Sequence, residues 1–420
     1  MSVMSAFPNV PQQWRRLIVL LPIAVVTLAL LTGLYNGALP KPKLPTVSFS
    51  DPKNHFNQEC KAKNELEPLD GLADAIRALW QPLVVPINAS SFTTLDGAVK
   101  ELPPQSELTH LEKLGKRIVI LDVDTRPLTE DGSIFSENLP TWDNLRNPSA
   151  GFISHYMYSL IHGYSYKFVR SPVYRDRAPH WTKVIFTKQL LEEFDYVIML
   201  DYDAMFPSPE LPLEWMFNYW KIDKKVMVAM AEDPNGGVNM DIKGRVNLNS
   251  GFIIAQSSPN TKRLFKDWAE CPSENKYKDC AQWKMKLFHE QAAFSSHVRY
   301  NFLDGYSIDT HPEYIRVLPC SEANGIPKVK HLGCWGQLVR HYWGDKSKTN
   351  LEFQNEVMSA LVPMLAKSAY RDPEIVQDYR AKFLDGGDIV DTEPALPPPP
   401  PEPPAAPPAA PATPPANTEE

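Results

Sequence analysis

The sequence lacks an excess of positive charge. Its 43 Lys and Arg residues are outnumbered by 50 Asp and Glu residues, which gives a formal net charge of −7. Proteins that bind a phosphate backbone need clustered Lys and Arg side chains, and no basic segment compensates for the negative total. The composition therefore argues against a nucleic-acid partner.

Cysteine is scarce, with five residues in a chain of 420. No Cys-x-x-Cys pair occurs, which argues against a structural zinc site. Cys271 and Cys280 flank one polar loop, Cys320 and Cys334 flank another, and Cys60 is left over. This spacing is compatible with two local disulfides, as expected of a lumenal or secreted protein, although spacing alone does not fix the pairing.

Long apolar runs are missing except at residues 17–35. At about 1.5 Å per residue, a helix of this length just crosses a hydrocarbon core of about 30 Å. Because Arg15 and Arg16 precede the run, residues 1–16 should stay in the cytosol and the rest of the chain should be lumenal. The residues that follow fit a signal-peptidase site poorly. We therefore predict the single-pass anchor of a type II membrane protein.

Composition divides the chain into five segments. The last lacks aromatic and branched apolar residues to bury, and its proline runs predict an extended, disordered tail. Asn88 begins the only glycosylation sequon, Asn-Ala-Ser, which a lumenal topology would make usable. The predicted segments are a cytosolic tail at 1–16, an anchor at 17–35, a lumenal stem and N-terminal extension at 36–110, a large globular domain at 111–385, which the family resemblance given below implies is a GT-A catalytic domain, and the Pro-rich tail at 386–420.

One apolar run of the predicted domain ends in two aspartates. Residues 197–200 are apolar without alternation, which is typical of a strand covered on both faces. Asp201 and Asp203 follow at its carboxyl end, where open α/β sheets bind ligands, and two carboxylates so spaced can approach one hard cation. An ordinary acidic turn is the alternative. Asp122 and Asp124 end a similar run, and local grounds do not choose between the two pairs.

The surrounding pattern predicts alternating strands and helices. Residues 116–124 and 166–170 read as strands, and an amphipathic helix precedes the run at 197–200. A further helix is predicted from His155, with residues 147–149 in the loop before it. This order is typical of an α/β fold built on a parallel sheet.

Six short motifs, in this order, resemble glycosyltransferase family 34, the metal-dependent retaining galactosyl-, mannosyl- and xylosyltransferases, and more distantly family 8. The resemblance covers roughly residues 115–350. The motifs are HGY at 162–164, WTK at 181–183, LDYDAMF at 200–206, LNSGF at 248–252, EQAAF at 290–294 and HYWGDK at 341–346.

The resemblance implies a GT-A fold, a Rossmann-like mixed sheet with a divalent-metal Asp-x-Asp motif. It implies that Asp201 lies near the ribose and the metal and that Asp203 and His341 ligate Mn²⁺ or another divalent cation. Carboxylate and imidazole together suit Mn²⁺. By this resemblance, the pair at Asp201 is the metal motif, not the pair at Asp122.

The same resemblance assigns roles around the donor. Asn249, Ser250 and Gly251 would line the donor sugar, with Lys183 a weaker candidate, while Lys346 would contact the leaving diphosphate. Gln291 would lie beneath the anomeric carbon; an amide is a poor nucleophile, so front-face departure and attack are favoured. Glu290 would orient the acceptor or act as a helix-start acid. Ser347 and Lys348 depart from the family pattern, in which Pro and Trp or Cys often follow the lysine.

These features predict a nucleotide-sugar-dependent hexosyltransferase of the Golgi membrane. It would transfer a hexose from UDP-galactose or GDP-mannose to a glycan or glycoprotein acceptor with retention of configuration. Two alternatives stay open. One is a metal-dependent phosphohydrolase, which also uses Asp-x-Asp after a strand; the other is a catalytically silent subunit in a hetero-complex of related transferases.

Overall fold

The computed structural model describes residues 71–327, 333–372 and 374–375. The predicted cytosolic tail, the anchor at 17–35, Cys60 and the Pro-rich tail at 386–420 lie outside the described residues. Within the described part, no helix combines the length and apolar character needed to cross a membrane.

Strands and helices alternate along most of the described chain. The strands are β1 Ser91–Thr93, β2 Val99–Glu101, β3 Ile118–Asp124, β4 Ser165–Arg170, β5 Tyr196–Leu200, β6 Ala204–Met205, β7 Val228–Glu232, β8 Leu248–Gln256, β9 Ile315–Leu318 and β10 Arg340–His341. The helices are α1 Leu72–Trp80, α2 Asn147–His162, α3 Trp181–Leu190, α4 Leu213–Tyr219, α5 Pro259–Ala269, α6 His289–Ser296, α7 Cys320–Ala323 and α8 Lys348–Tyr370.

A six-stranded mixed sheet forms the centre of the fold. Its strand order is β4, β3, β5, β8, β7, β9. β3 pairs in parallel with β4 and β5, and β7 pairs in parallel with β9, whereas β8 runs antiparallel to both of its neighbours. The predicted mixed α/β architecture is confirmed, and it is consistent with the GT-A fold.

Helices cover both faces of this sheet. On one face, α3, α5 and α6 contribute the buried side chains of Trp181, Phe265 and Phe294 to one core cluster. On the other face, α2 and α4 contribute Tyr158 and Trp215 to a second cluster. Both faces of β5 are therefore buried, which explains its unbroken apolar sequence, since a fully buried apolar side chain contributes roughly 1.5–3 kcal/mol.

Helix α2 begins earlier than the sequence predicted. Residues 147–149, which we expected in a loop, form its first turn, and Pro148 lies in that turn. Proline is favoured there because its missing N–H would have no partner within the helix. The helix ends at His162, and the following Gly163 has a φ of 75°, the left-handed conformation that glycine adopts readily.

Residues 71–110, which we assigned to the stem and extension, contain folded elements. The side chain of Trp80 at the end of α1 is 2% exposed and belongs to a core cluster with Met157, Ile161 and Ala360. Lys100 of the β1–β2 hairpin forms an ion pair with the buried Glu322, with Nζ 2.8 Å from Oε1. The folded part thus extends to the amino-terminal side of residue 111, where we predicted the catalytic domain to begin.

Two disulfides brace loops of the described chain. Cys271 is bonded to Cys280, and Cys320 to Cys334. These are the two local pairs that the spacing of the cysteines allowed.

The long helix α8 packs against α2 through buried acids. Glu352 accepts hydrogen bonds from Arg340 Nη1 at 2.6 Å and from Tyr342 Oη at 2.5 Å. Glu356 is 1% exposed, and among the described residues its side chain bonds only to Ser154, whose Oγ lies 2.6 Å from Oε2. Burial, and next the charge of Glu352, raise the pKa of Glu356 well above its ordinary value.

We predict that Glu356→Gln stabilises the protein at alkaline pH. An unfolded glutamate loses its proton at about pH 4.3, whereas folded Glu356 keeps its proton to higher pH. Above pH ~4.3 the folded state therefore binds more protons than the unfolded state, and the free energy of unfolding falls as the pH rises toward the raised pKa of Glu356. The substitution removes that loss. Thermal melts at about pH 8 should show a Tm increase of roughly 2 °C, corresponding to about 1 kcal/mol, and the increase should shrink toward pH 5.

Glu352→Gln is the matched control for this helix. Glu352 is ion-paired, so its replacement should lower the Tm at both pH values. A Glu356→Gln variant that melts below the wild type at pH 8 would contradict the explanation.

Candidate active site

Three potential metal ligands converge at the carboxyl end of β5. Oxygens of Asp201 and Asp203 and a ring nitrogen of His341 all lie within 4.8 Å of one another, and no other such group of His, Cys, Asp and Glu occurs in the described ranges. Nε2 of His341 is 3.9 Å from Asp201 Oδ2 and 3.7 Å from Asp203 Oδ1. These separations exceed hydrogen-bonding distance and leave room for a cation between the atoms.

A two-stranded ribbon brings His341 to the aspartates. β6 pairs antiparallel with β10, so that Ala204 lies opposite His341. The backbone N–H of Tyr342 donates to the carbonyl oxygen of Asp203 at 2.8 Å. Main-chain hydrogen bonds therefore set the distance between His341 and Asp203, although the two residues are far apart in sequence.

The carboxylate of Asp203 fits a metal ligand. It is 1% exposed, yet neither oxygen accepts a hydrogen bond from a described residue. Lys346 Nζ lies 3.2 Å from Oδ2 as an ion pair. Burial opposes ionisation, but His341 and Lys346 hold the pKa of Asp203 below its ordinary value. A buried, ionised carboxylate without hydrogen bonds is costly unless a cation joins it.

The cavity around these residues has a volume of about 320 Å³ and a polar floor. Four carboxylates and two lysines line it, so it carries net negative charge and favours a cation. These charged residues are Asp201, Asp203, Asp233, Glu290, Lys183 and Lys346.

Lys183 of α3 links the metal site to α6. Its ammonium is 2.7 Å from Asp201 Oδ1 and 3.3 Å from Glu290 Oε1. Burial works against this charge, but Asp201 and Glu290 raise the pKa of Lys183 above its ordinary value. Ser250 Oγ donates to the same Glu290 oxygen at 2.7 Å. Glu290 is therefore held in an ionic and hydrogen-bonded chain at the start of α6.

Asp233 holds three amide side chains of the pocket. Asn249 Nδ2 donates to its Oδ1 at 2.8 Å, Asn324 Nδ2 donates to the same oxygen at 3.2 Å, and Gln291 Nε2 donates to Oδ2 at 2.6 Å. The other end of Gln291, Oε1, accepts from the backbone N–H of Ser250 at 3.1 Å. The Gln291 amide is thus fixed at both ends.

The strand β8 is irregular where it enters the site. Met230 of β7 pairs with Ile253, but the next residue, Ala231, pairs with Asn249. A bulge of this kind changes the direction of side chains at the end of a strand. Asn249 and Ser250 line the cavity.

Gly251 lies against the His341 ring. A Cβ atom built on Gly251 would be 2.1 Å from Cε1 of His341. Gly251 itself is not one of the described residues that line the cavity. Its lack of a side chain makes room for the imidazole.

The rim of the cavity is aromatic and apolar. It contains Leu287, Phe288, His289, His180 and Trp343. The rings of His180 and His289 stack with centroids 4.7 Å apart. Phe288 and His289 both have positive φ, at 71° and 38°, a conformation that costs energy for non-glycine residues and is concentrated at functional sites. The turn leads directly into Glu290 and Gln291.

The other Asp-x-Asp pair has internal partners. Asp122 is fully buried; its Oδ1 is 2.8 Å from His155 Nδ1, and its Oδ2 accepts from Tyr166 Oη at 2.7 Å. Nε2 of His155 donates to the carbonyl oxygen of Ala204 at 2.6 Å. Asp124 is paired with Arg126. Asp122 therefore supports the turn after Asp203 instead of facing the cavity.

Tyr202, between the two aspartates of the motif, lies between two cationic groups. The guanidinium of Arg126 and the ammonium of Lys346 are each 5.0 Å from its ring centre. Such cation–π contacts contribute about 0.5–1 kcal/mol at exposed sites. They place positive charge beside the candidate metal ligands.

A family model agrees with this site. A family model described as nucleotide-diphospho-sugar transferase matches residues 176–341, a range that includes Lys183, both metal-motif aspartates, Gln291 and His341. The match supports a glycosyltransferase that uses a nucleotide sugar. It does not single out family 34.

Solved structures offer distant likenesses. A glycosyltransferase involved in the glycosylation of the major capsid of PBCV-1 is 15% identical, covers 56% of this chain and 98% of its own, and has a TM-score of 0.39. Mouse xyloside xylosyltransferase 1 in its apo form is 10% identical, covers 53% and 96%, and has a TM-score of 0.31. No curated protein matches the sequence.

The structure adds residues that the sequence analysis did not assign. Asp233 follows β7 directly, and an acid at a strand's carboxyl end was the available signal. Asn324 lies in a loop without a recognisable pattern, whereas Trp343 lies inside the HYWGDK motif but received no role from it. Each enters the site only through the folding of distant segments.

We predict that Gly251→Ala weakens divalent-cation binding. The new methyl group must displace the His341 ring, so the Kd for Mn²⁺, measured by electron paramagnetic resonance of the free ion, should rise at least about tenfold.

His341→Ala provides the control. If the clash with the ring is the cause, adding Gly251→Ala to His341→Ala should weaken binding no further. Unchanged Mn²⁺ affinity in Gly251→Ala alone would contradict this explanation.

Proposed function

We propose that the protein is a retaining glycosyltransferase of the family 34 type. It transfers a hexose from UDP-galactose or GDP-mannose to a glycan or glycoprotein acceptor, with Mn²⁺ or another divalent cation. The observation that carries the proposal is the convergence of Asp201, Asp203 and His341 beside Lys346 in one negatively charged cavity.

The proposed donor diphosphate binds on the metal-ligand side of the cavity. A divalent cation, when bound, would supply positive charge beside the two phosphates. The side chain of Lys346 is 51% exposed, so its ammonium can exchange its contact with Asp203 for a phosphate oxygen. It would stabilise the negative charge that grows on the leaving diphosphate.

The proposed donor sugar binds on the polar floor. Asn249, Ser250, Asp233 and Gln291 offer amide, hydroxyl and carboxylate groups there, the groups that recognise sugar hydroxyls. Because Gln291 is fixed at both ends, its amide stays in place while the donor binds. Glu290 forms an ion pair with Lys183 and accepts a hydrogen bond from Ser250. It would keep the polar floor in a constant position relative to the acceptor.

The proposed acceptor binds at the aromatic rim. Trp343 is 37% exposed and Leu287 66% exposed, and both border the same cavity as Gln291. The indole ring of Trp343 can stack against the C–H face of a sugar, and the Leu287 side chain adds apolar surface beside it. An acceptor held there would present its hydroxyl on the face from which the diphosphate leaves.

In the proposed reaction Gln291, and not a carboxylate, lies under the anomeric carbon, so that no covalent enzyme intermediate forms and retention comes from attack on the face that the diphosphate leaves. The bond from the anomeric carbon to the diphosphate breaks, the acceptor oxygen bonds to the same carbon on the same face, and the acceptor proton passes to the leaving phosphate oxygen. Gln291 would stabilise the positive anomeric carbon with its amide dipole without forming a bond.

We place the enzyme in the Golgi membrane as a single-pass type II protein. This part of the proposal rests on the apolar run at 17–35 and on the sequon at Asn88. Asn88 is exposed, as glycosylation requires.

Incubating the purified chain with a panel of nucleotide sugars and Mn²⁺ tests the proposal. We expect hydrolysis of UDP-galactose or GDP-mannose, or transfer of its hexose. NMR of the product should show that the α-anomeric configuration is retained. Absence of turnover across the panel would overturn it. The silent-subunit alternative would be supported if the chain binds the nucleotide sugar tightly in the presence of Mn²⁺ without turnover, and if co-expression with related transferases restores turnover.

We predict that Asp203→Asn strongly reduces this activity. The amide removes the anionic ligand, so kcat should fall at least about 100-fold. Asp122→Asn, which breaks the pair with His155, should instead lower the Tm and leave the folded enzyme more active than Asp203→Asn. A greater loss of activity in Asp122→Asn would favour the phosphohydrolase alternative.

We predict a similar contrast between two nearby lysines. Lys346→Ala should lower kcat about 100-fold, because the leaving diphosphate loses its cationic partner. Lys348, which pairs with Asp345 at the surface, is the matched control, and Lys348→Ala should keep wild-type kcat. Equal effects of the two substitutions would contradict the role of Lys346.

A further inference from the structure

Asn324 connects Asp233 to the candidate metal ligand His341. It is 1% exposed. Its Nδ2 donates to the carbonyl oxygen of Glu232 at 2.9 Å and to Asp233 Oδ1 at 3.2 Å. Its Oδ1 lies 3.0 Å from Nδ1 of His341. One amide side chain thus joins the end of β7 to the ring that completes the proposed cation site.

The surroundings leave one orientation for this amide. The Glu232 carbonyl oxygen can only accept a hydrogen bond. The amide nitrogen of Asn324 must therefore face Glu232, and its oxygen must face His341. The orientation follows from the main chain and does not depend on the protonation of Asp233.

The amide orientation in turn fixes the imidazole. Because an amide oxygen cannot donate, Nδ1 of His341 must carry a hydrogen to bond with Asn324. In a neutral imidazole, the other nitrogen then has the free electron pair. That nitrogen, Nε2, is the atom directed at Asp201 and Asp203.

We propose that Asn324 is a positioning residue that holds His341 in the Nδ1–H tautomer and presents the Nε2 electron pair to the divalent cation. This proposal rests on the cation site of the proposed function. Partners of this kind commonly contribute 10- to 100-fold to metal affinity.

The backbone makes Asn324 and His341 a single unit. The N–H of His341 donates to the carbonyl oxygen of Gly325 at 3.0 Å. A Cβ atom on Gly325 would lie 2.3 Å from the carbonyl oxygen of Cys334, so the segment packs closely against the end of the Cys320–Cys334 loop. The main-chain hydrogen bond from His341 to Gly325 therefore keeps the residue next to Asn324 beside the imidazole.

The first test reads the tautomer directly and needs no metal. Long-range ¹H–¹⁵N spectra of the ¹⁵N-histidine-labelled protein at about pH 8, above the ordinary histidine pKa, distinguish a protonated Nδ1 from a protonated Nε2. A His341→Gln sample assigns the signal. We expect the hydrogen on Nδ1 in the wild type and its loss or averaging in Asn324→Ala. A hydrogen on Nε2 in the wild type would overturn the proposal.

The second test measures Mn²⁺ affinity by electron paramagnetic resonance. Asn324→Ala should raise the Kd about 10- to 100-fold. Gln337→Ala is the matched control: the residue follows the Cys320–Cys334 loop, and its side chain donates to Asp96 and not to His341, so the tautomer and the Kd should stay at the wild-type values. Wild-type affinity in folded Asn324→Ala would overturn the proposal.

The two tests separate failure of this inference from failure of the proposed function. If the wild type binds no Mn²⁺, the proposed cation site fails, while the tautomer spectrum still decides whether Asn324 orients His341.

Discussion

The pairing of β6 with β10 is the contact on which the site depends. Two strands of two residues each join Ala204 and Met205 to Arg340 and His341. A ribbon this short is not stable alone. It is held by the buried main-chain bond from Tyr342 to Asp203 and by Tyr342 and Arg340, which both contact Glu352 of α8. The long helix α8 thus supports the candidate metal ligands from the side away from the cavity.

Burial and pairing give the two Asp-x-Asp motifs different chemistry. Asp122 is surrounded by donors, and its partner His155 bonds onward to the turn after Asp203. Asp203 is equally buried but receives no hydrogen bond from the residues that the structure describes. One motif stabilises the turn, and the other keeps its oxygens free for a cation. The first supports the geometry of the second.

The sequence predicted the parts of the fold that depend on local pattern. The unbroken apolar run at 197–200 became a strand buried on both faces, because apolar periodicity depends directly on burial. The beginning of α2 was missed because Asn147 and Pro148 suit a loop and a first helical turn equally well. The antiparallel placement of β8 within the sheet also has no local signal, since apolar strands do not encode their direction.

The candidate site was only partly predictable for the same reason. The family motifs predict that Asp201, Gln291 and His341 belong to one site, and all three line the same cavity in the structure. Asp233 and Asn324 lie outside those motifs. Asp233 and Asn324 matter because they form hydrogen bonds that orient Gln291 and His341. These residues are far apart in the sequence, so no local sequence pattern predicts the bonds.

The central claim is that Asp201, Asp203 and His341 bind a divalent cation that holds a nucleotide diphosphate. Anomalous diffraction from crystals grown with Mn²⁺ and a nucleoside diphosphate tests it most directly. The account predicts one strong manganese peak between these three side chains, with the diphosphate beside it and Lys346. A peak held by Asp122 and Asp124, or no peak at His341, would contradict it.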